Sequence, residues 1–130
     1  MTVFVDTSAL FAALDAADSR HQSAVETFER VAAERLATHN YVAVEAEALV
    51  RRKLGATAAH VLLVDILPSL ATTWVDEELH RAGVTATLAA GMRRLSLVDC
   101  VSFELMRRQR IDTAFAFDRH FAEQGFTAIP

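Results

Sequence analysis

The chain has 130 residues, of which 52% are hydrophobic, and its formal net charge is −4 at pH 7. The length predicts a single compact domain over residues 1–130, the one cysteine, Cys100, excludes an internal disulfide, and the negative charge argues against binding nucleic acid by bulk charge alone. No stretch approaches the roughly 20 apolar residues that span a bilayer, and the lack of a signal-peptide pattern predicts a cytoplasmic protein.

Short β-favouring runs alternate with helical patterns along the chain. Strands are predicted over residues 2–5, 36–38, 71–75, 113–117 and 126–129. Helices are predicted over residues 9–14, 41–54, 57–67, 76–91, 96–110 and 119–124, with a further helix that Ser19 caps and that has apolar residues at positions 24, 25, 28, 31 and 32. Asn40 is the expected cap of the helix over residues 41–54. This alternation predicts an α/β fold with a central, mostly parallel sheet of four or five short strands and helices on both faces.

Three aspartates lie at junctions between the predicted elements. Asp6 and Asp118 each follow a strand directly, and Asp99 lies near the start of the helix over residues 96–110. In a parallel sheet these junctions meet at one edge, where ligands bind. Clustered carboxylates repel one another unless a cation lies between them, and oxygen ligands select Mg²⁺ or Mn²⁺. Such an ion promotes hydrolysis of phosphodiesters.

Helix capping is the competing interpretation of the same aspartates. Asp6 and Asp118 are favourable N-caps, and Ser96 with Asp99 fits a capping box. A fourth acid on the helix over residues 41–54 is also ambiguous. Glu45 and Glu47 lie on nearly opposite faces of that helix, and neither face is clearly the core. Periodicity therefore leaves the choice between the two glutamates open.

Other phosphoryl-transfer enzymes fit the sequence less well. A haloacid-dehalogenase-like enzyme needs a second aspartate two residues after the first, where this chain has Ser8. Those enzymes and receiver domains also use a lysine, and the only lysine, Lys53, is not at a strand end. No glycine-rich phosphate loop is present.

Four segments resemble the PIN-domain family, and the whole chain resembles the VapC toxins of VapBC toxin–antitoxin modules. The segments are VDTSAL at residues 5–10, NYVAVE at 40–45, LSLVDCVSF at 95–103 and AFDRHF at 116–121. The family carries one acid in each segment, and these positions correspond to Asp6, Glu45, Asp99 and Asp118. The resemblance therefore selects Glu45, which periodicity alone does not.

The resemblance implies an endoribonuclease that cuts RNA with Mg²⁺ or Mn²⁺ held by these four acids. It also implies a homodimer and a cognate VapB antitoxin that covers the site. Ser102 occupies a position where the family often has a hydroxyl near the acids, and Ser8 is placed to hydrogen-bond them. The alternative is a PIN-like module that binds RNA or protein without cleavage. Retention of four acids argues against it, because negative charge weakens RNA binding.

Basic residues are clustered despite the negative net charge. The clusters are Arg51–Lys53, Arg93–Arg94, and Arg107–Arg108 with Arg110, which together hold eight of the 13 lysines and arginines. We expect Arg51 and Arg52 to contact RNA, although a solvated helix face explains the same pair of residues about as well.

Overall fold

The first strand lies at the centre of the sheet and is buried on both faces. Val3, Phe4 and Val5 are fully buried, as expected for β-branched and aromatic residues in a parallel sheet covered on both sides. The computed structural model describes all 130 residues, Met1–Pro130. The five strands are β1 (Thr2–Val5), β2 (Arg35–His39), β3 (Ala71–Thr73), β4 (Thr113–Phe115) and β5 (Thr127–Ile129).

Seven α-helices connect the strands. They are α1 (Thr7–Leu14), α2 (His21–Arg30), α3 (Asn40–Leu54), α4 (Ala56–Val61), α5 (Glu77–Ala90), α6 (Leu97–Gln109) and α7 (His120–Glu123). A π-helical segment, Leu62–Ile66, and a 3₁₀ turn, Leu67–Ser69, continue α4. No helix combines the length and the apolar character that crossing a lipid bilayer would require.

All strand pairs are parallel, and the strand order is β3-β2-β1-β4-β5. The chain moves outward from β1 to β3, returns across the sheet to β4, and then moves outward in the other direction to β5. Right-handed crossovers place α1–α4 on one face and α5–α7 on the other. The direction of winding therefore reverses between β1 and β4, and ligands of open α/β sheets bind at this switch point. The predicted α/β fold is confirmed.

The helix pair α5 and α6 packs closely because one residue lacks a side chain. A Cβ atom on Gly83 would lie 2.5 Å from the Cγ2 atom of Val101, a fully buried residue on α6. Only glycine fits this approach, so its helix-propensity cost of about 1 kcal/mol is tolerated. The close packing fixes the position of α6, whose first turn carries Asp99.

Two predicted helix caps are wrong. The N-cap of α2 is Arg20, and the backbone N–H of Arg20 donates to the Asp18 carboxylate at 2.7 Å; Ser19 has no capping bond. The N-cap of α3 is His39, whose Nδ1 accepts from the Val42 N–H at 3.3 Å.

Long-range hydrogen bonds explain further differences from the predicted boundaries. The Asn40 amide oxygen accepts from the Val75 N–H at 2.7 Å, so Asn40 holds the chain beyond β3 and does not cap α3. β3 accordingly ends at Thr73, before the predicted residue 75. β4 ends at Phe115 and not at residue 117, because the Phe117 N–H donates to the Ser8 hydroxyl at 3.0 Å instead of to a neighbouring strand.

Candidate active site

Asp6 follows β1 directly and is the most buried of the candidate acids. It caps α1, and its Oδ2 accepts from the Ser8 N–H at 3.2 Å and from the Ser8 hydroxyl at 2.7 Å. Only 4% of Asp6 is exposed. Burial raises the pKa of Asp6 to about 7; the hydrogen bonds from Ser8 oppose this rise, and repulsion from Asp118 and Asp99 adds to it.

Asp118 lies just beyond β4, the neighbour of β1. Its Oδ1 accepts from the His120 N–H at 3.0 Å. Burial raises the pKa of Asp118; the His120 hydrogen bond opposes the rise and the charge of Asp99 adds to it. The adjacent strands β1 and β4 thus bring two carboxylates together at the switch point.

Asp99 is the third residue of α6 and forms the predicted capping box. The Asp99 Oδ2 accepts from the Ser96 N–H at 3.0 Å, and the Asp99 N–H donates to the Ser96 hydroxyl at 3.1 Å. The side chain is nevertheless only partly exposed, and it reaches the two strand-end aspartates from the side of α6.

The three aspartates form one cluster. One carboxylate oxygen of each lies within 4.8 Å of the corresponding oxygens of the others. Each aspartate uses one oxygen for its local backbone hydrogen bond, and no protein group donates to Asp6 Oδ1, Asp99 Oδ1 or Asp118 Oδ2. The capping role and the clustering are therefore compatible, because a carboxylate has two oxygens and capping occupies only one.

Ser8 connects the two strand ends that carry acids. Its hydroxyl donates to Asp6 and accepts from the Phe117 N–H, which immediately precedes Asp118 in the chain. This pair of bonds fixes the rotamer of Asp6 and the path of the chain after β4. The predicted proximity of Ser8 to the acids thus has a geometric consequence, since Ser8 sets the position of one aspartate relative to another.

Glu45 does not belong to the cluster of three. It lies in the second turn of α3, is exposed, and has no hydrogen bond or ion pair. Glu47 is partly buried and pairs with Arg51 at 2.5 Å. The start of α3 lies at the same edge of the sheet as the aspartates, because it follows β2 directly. A role for Glu45 in the site stays a prediction.

Ser102 bonds a buried histidine and not an acid. The Ser102 hydroxyl donates to the Val98 carbonyl at 2.9 Å and lies 2.9 Å from the Nε2 atom of His39. Burial lowers the pKa of His39 to about 4, so the ring is neutral at pH 7. Since His39 Nδ1 accepts from Val42, the proton lies on Nε2, which donates to Ser102. This network joins the end of β2 to α6, and sequence reasoning missed His39 because no pattern marks a buried histidine.

The arginines at positions 51 and 52 lie far from the aspartates. They belong to the last turn of α3, which runs away from the acidic edge after Asn40. Eleven residues of helix place Arg51 about 16 Å along the axis from that edge. The contact of these arginines with RNA, expected from sequence, receives no support from this position.

The fold and the site together define a class, namely parallel α/β proteins with an aspartate cluster at the switch point of the sheet. The chain belongs to the PIN-domain family, since residues 3–126 match the family described as "PIN domain". It is similar to the VapC proteins of that family. The 23S rRNA-specific endonuclease VapC20 of Mycobacterium tuberculosis is 31% identical over 131 residues, which cover 98% of this chain and 97% of VapC20.

Solved structures agree with this family. The crystal structure of M. tuberculosis VapC20, described as a Sarcin-Ricin loop cleaving toxin, matches with a TM-score of 0.85 over 98% of this chain and 99% of that one. FitAcB from Neisseria gonorrhoeae matches with a TM-score of 0.74 at 14% identity, over 100% and 97% of the two chains. VapBC2 from Rickettsia felis, bound to a DNA fragment from its promoter, matches with a TM-score of 0.74 at 13% identity, over 98% and 97%. The last two matches show the fold alone.

Proposed function

We propose that this protein is the toxin of a type II toxin–antitoxin system and an endoribonuclease that hydrolyses RNA phosphodiester bonds with a divalent metal ion. The observation that carries the proposal is the cluster of three aspartates, each with an oxygen that no protein group bonds. Its position at the switch point and the full-length similarity to a named rRNA endonuclease support it. A site with this much clustered negative charge is unfavourable for RNA unless a cation offsets it.

The donor set fits a hard cation. Asp6, Asp99 and Asp118 would hold Mg²⁺ or Mn²⁺, because carboxylate oxygens are the preferred ligands of both ions. When bound, the ion polarises a phosphoryl oxygen and lowers the pKa of water at the site. Burial keeps bulk water away from Asp6, and Ser8 holds its carboxylate in one orientation. With a pKa of about 7, Asp6 shares a proton with solvent near neutral pH, and a cation favours its charged form.

The homology also supports a set of partners. A VapB-type antitoxin is the proposed inhibitor, since VapC20, which is 31% identical over nearly the whole chain, is described as a toxin of the VapC type. We further propose a homodimer, and action in the cytoplasm, where RNA is accessible. The first RNA substrate to test is 23S rRNA, because VapC20 is named as an endonuclease specific for it.

Incubation of the purified protein with ribosomal RNA tests the activity. In Mg²⁺ or Mn²⁺ we expect discrete fragments on a denaturing gel, and in excess chelator we expect the RNA to stay intact, because the aspartates then have no cation to hold. RNA that is bound but never cut under any metal condition would identify a binding module. Equal cleavage with and without chelator would contradict the metal-dependent mechanism.

Glu45 is the proposed fourth acid, and the chain supplies a matched control two residues away. Glu45→Gln should lower cleavage about 10- to 100-fold, the usual effect of removing a group that supports a metal site from outside its first ligands. Glu47→Gln removes the same charge from the same helix and should cleave as wild type does, since Glu47 pairs with Arg51. The two variants are compared by their initial rates of RNA cleavage at several Mn²⁺ concentrations. Equal rates for the two variants would remove Glu45 from the site.

A further inference from the structure

A basic cavity opens at the surface between two loops. Its volume is about 430 Å³. Arg93 and Arg94 line it from the loop between α5 and α6, and Arg119 and His120 line it from the start of α7. Two segments that are distant in sequence thus contribute three guanidinium groups to one concave surface. The cavity stands out in a protein whose formal net charge is −4.

The cavity adjoins the aspartate cluster through both of its walls. Asp118 directly precedes Arg119 in the chain. On the other wall, Leu95 lines the cavity and directly precedes Ser96, which forms the capping box with Asp99. The basic cavity and the aspartate cluster are therefore neighbours at the carboxyl edge of the sheet.

Arg93 and Arg94 have no partner within the protein. Both are exposed, and neither has a carboxylate within 4.0 Å or a side-chain hydrogen bond. Arg119 differs, because its guanidinium pairs with Glu123 at 3.3 Å. Glu123 is the one acid that lines the cavity, and its charge is offset by this pair. The positive potential of the cavity therefore comes chiefly from the first two arginines.

An RNA strand has chemistry that suits this surface. When one phosphodiester of an RNA strand lies at the aspartates, the phosphates on either side of it lie at the edge of the aspartate cluster. Those phosphates are repelled by the acids, and guanidinium groups bind phosphate oxygens in a bidentate geometry. Each phosphate so bound also releases condensed counterions, which contributes affinity without sequence preference.

We propose that Arg93 and Arg94 bind the backbone phosphates that flank the bond to be cleaved, and that the basic cavity sets the path of the RNA across the aspartate cluster. The inference rests on the proposed function in taking RNA as the substrate. RNA contact is thus assigned to Arg93 and Arg94, which adjoin the site, and not to the arginines at positions 51 and 52, which lie at the far end of α3.

The test compares two double variants that remove the same charge. Arg93→Gln/Arg94→Gln removes the proposed phosphate ligands, and Arg51→Gln/Arg52→Gln is the matched control. Binding of a fluorescent single-stranded RNA oligonucleotide is measured in chelator across a salt series, so that binding is read without cleavage. The first variant should bind about 10-fold more weakly, with the slope of log K against log salt smaller by about 1 to 1.5. The control should match wild type.

The kinetic readout uses cleavage of the same RNA in Mn²⁺. Phosphate contacts far from the reacting atoms stabilise the bound substrate and the transition state equally. Their loss should therefore raise KM in the first variant and leave kcat within about twofold of wild type. Unchanged affinity and slope in the first variant, or an equal loss in both double variants, would overturn the inference. If wild type cuts no RNA but only the first variant loses RNA binding, then the proposed catalytic function fails and the inferred RNA surface stands.

Discussion

Asp6→Asn is expected to lower RNA cleavage by about 10³-fold or more while the fold stays intact. The change removes one of the three carboxylates that would hold the cation, which is worth several kcal/mol of stabilisation in the transition state, at 1.36 kcal/mol for each factor of ten. The amide oxygen of asparagine can still accept from the Ser8 N–H and hydroxyl, so the cap of α1 is kept. The measurement is the single-turnover cleavage rate at saturating Mn²⁺.

A second aspartate provides the control for this variant. Asp15 also accepts from the backbone N–H two residues ahead, at 3.0 Å from Ala17, but it follows α1 and is not in the cluster. Asp15→Asn therefore makes the same chemical change at an aspartate that has only a local hydrogen bond and no place in the cluster. This variant should cleave RNA as wild type does. Undiminished cleavage by Asp6→Asn would show that this aspartate is a helix cap and no part of the catalytic site.

The same substitution is expected to stabilise the metal-free protein above pH 7. Burial raises the pKa of Asp6 to about 7 in the folded state, from an ordinary value of 3.8. The folded state therefore binds more protons between these two values, so its stability falls as pH rises from about 4 to about 7 and stays low above that. At 1.36 kcal/mol for each pKa unit, the loss reaches up to about 4 kcal/mol. Asp6→Asn lacks a titrating group and does not suffer this loss.

Thermal unfolding in chelator at several pH values measures the effect. The difference in melting temperature between Asp6→Asn and wild type should grow from near zero at pH 4 to roughly 10 °C at pH 8. His39 acts in the opposite direction, because its lowered pKa removes stability as pH falls from about 6.5 to about 4. It is present in both proteins and cancels in the difference. Mn²⁺ should reduce the difference in melting temperature by stabilising wild type. A difference in chelator that does not change with pH would contradict the raised pKa of Asp6.

The convergence of the aspartates was predictable from sequence because strand ends in a parallel sheet share an edge. Asp6, Asp99 and Asp118 each looked equally like a cap or a ligand, and the structure shows why neither interpretation excluded the other. Each carboxylate bonds locally through one oxygen and keeps the second free. A sequence pattern identifies the residue, but it does not show which oxygen of the carboxylate forms the local hydrogen bond and which oxygen stays free.

Other features depend on contacts that no local pattern records. Asn40 looked like a helix cap, but its amide bonds Val75, which lies 35 residues further along the chain. Arg110 ends α6 in a left-handed conformation, with φ of 57°, where a glycine would have been the usual signal. The basic cavity likewise combines residues near position 93 with residues near position 119, and only the packing of α5 on α6 and the path of the chain after β4 bring them together.

The hydrogen bond between Ser8 and Phe117 has a consequence for how the protein is made. It joins groups 109 residues apart in sequence, and β1 pairs with β4 across nearly the same span. Contacts of such long range form late in folding, since a long loop must close first. During translation the N-terminal segment emerges first, and β1 has no partner at β4 until residues 113–115 have been synthesised. The aspartate cluster is therefore assembled only after β4 has been synthesised and has paired with β1, and β1 alone brings no second aspartate to Asp6.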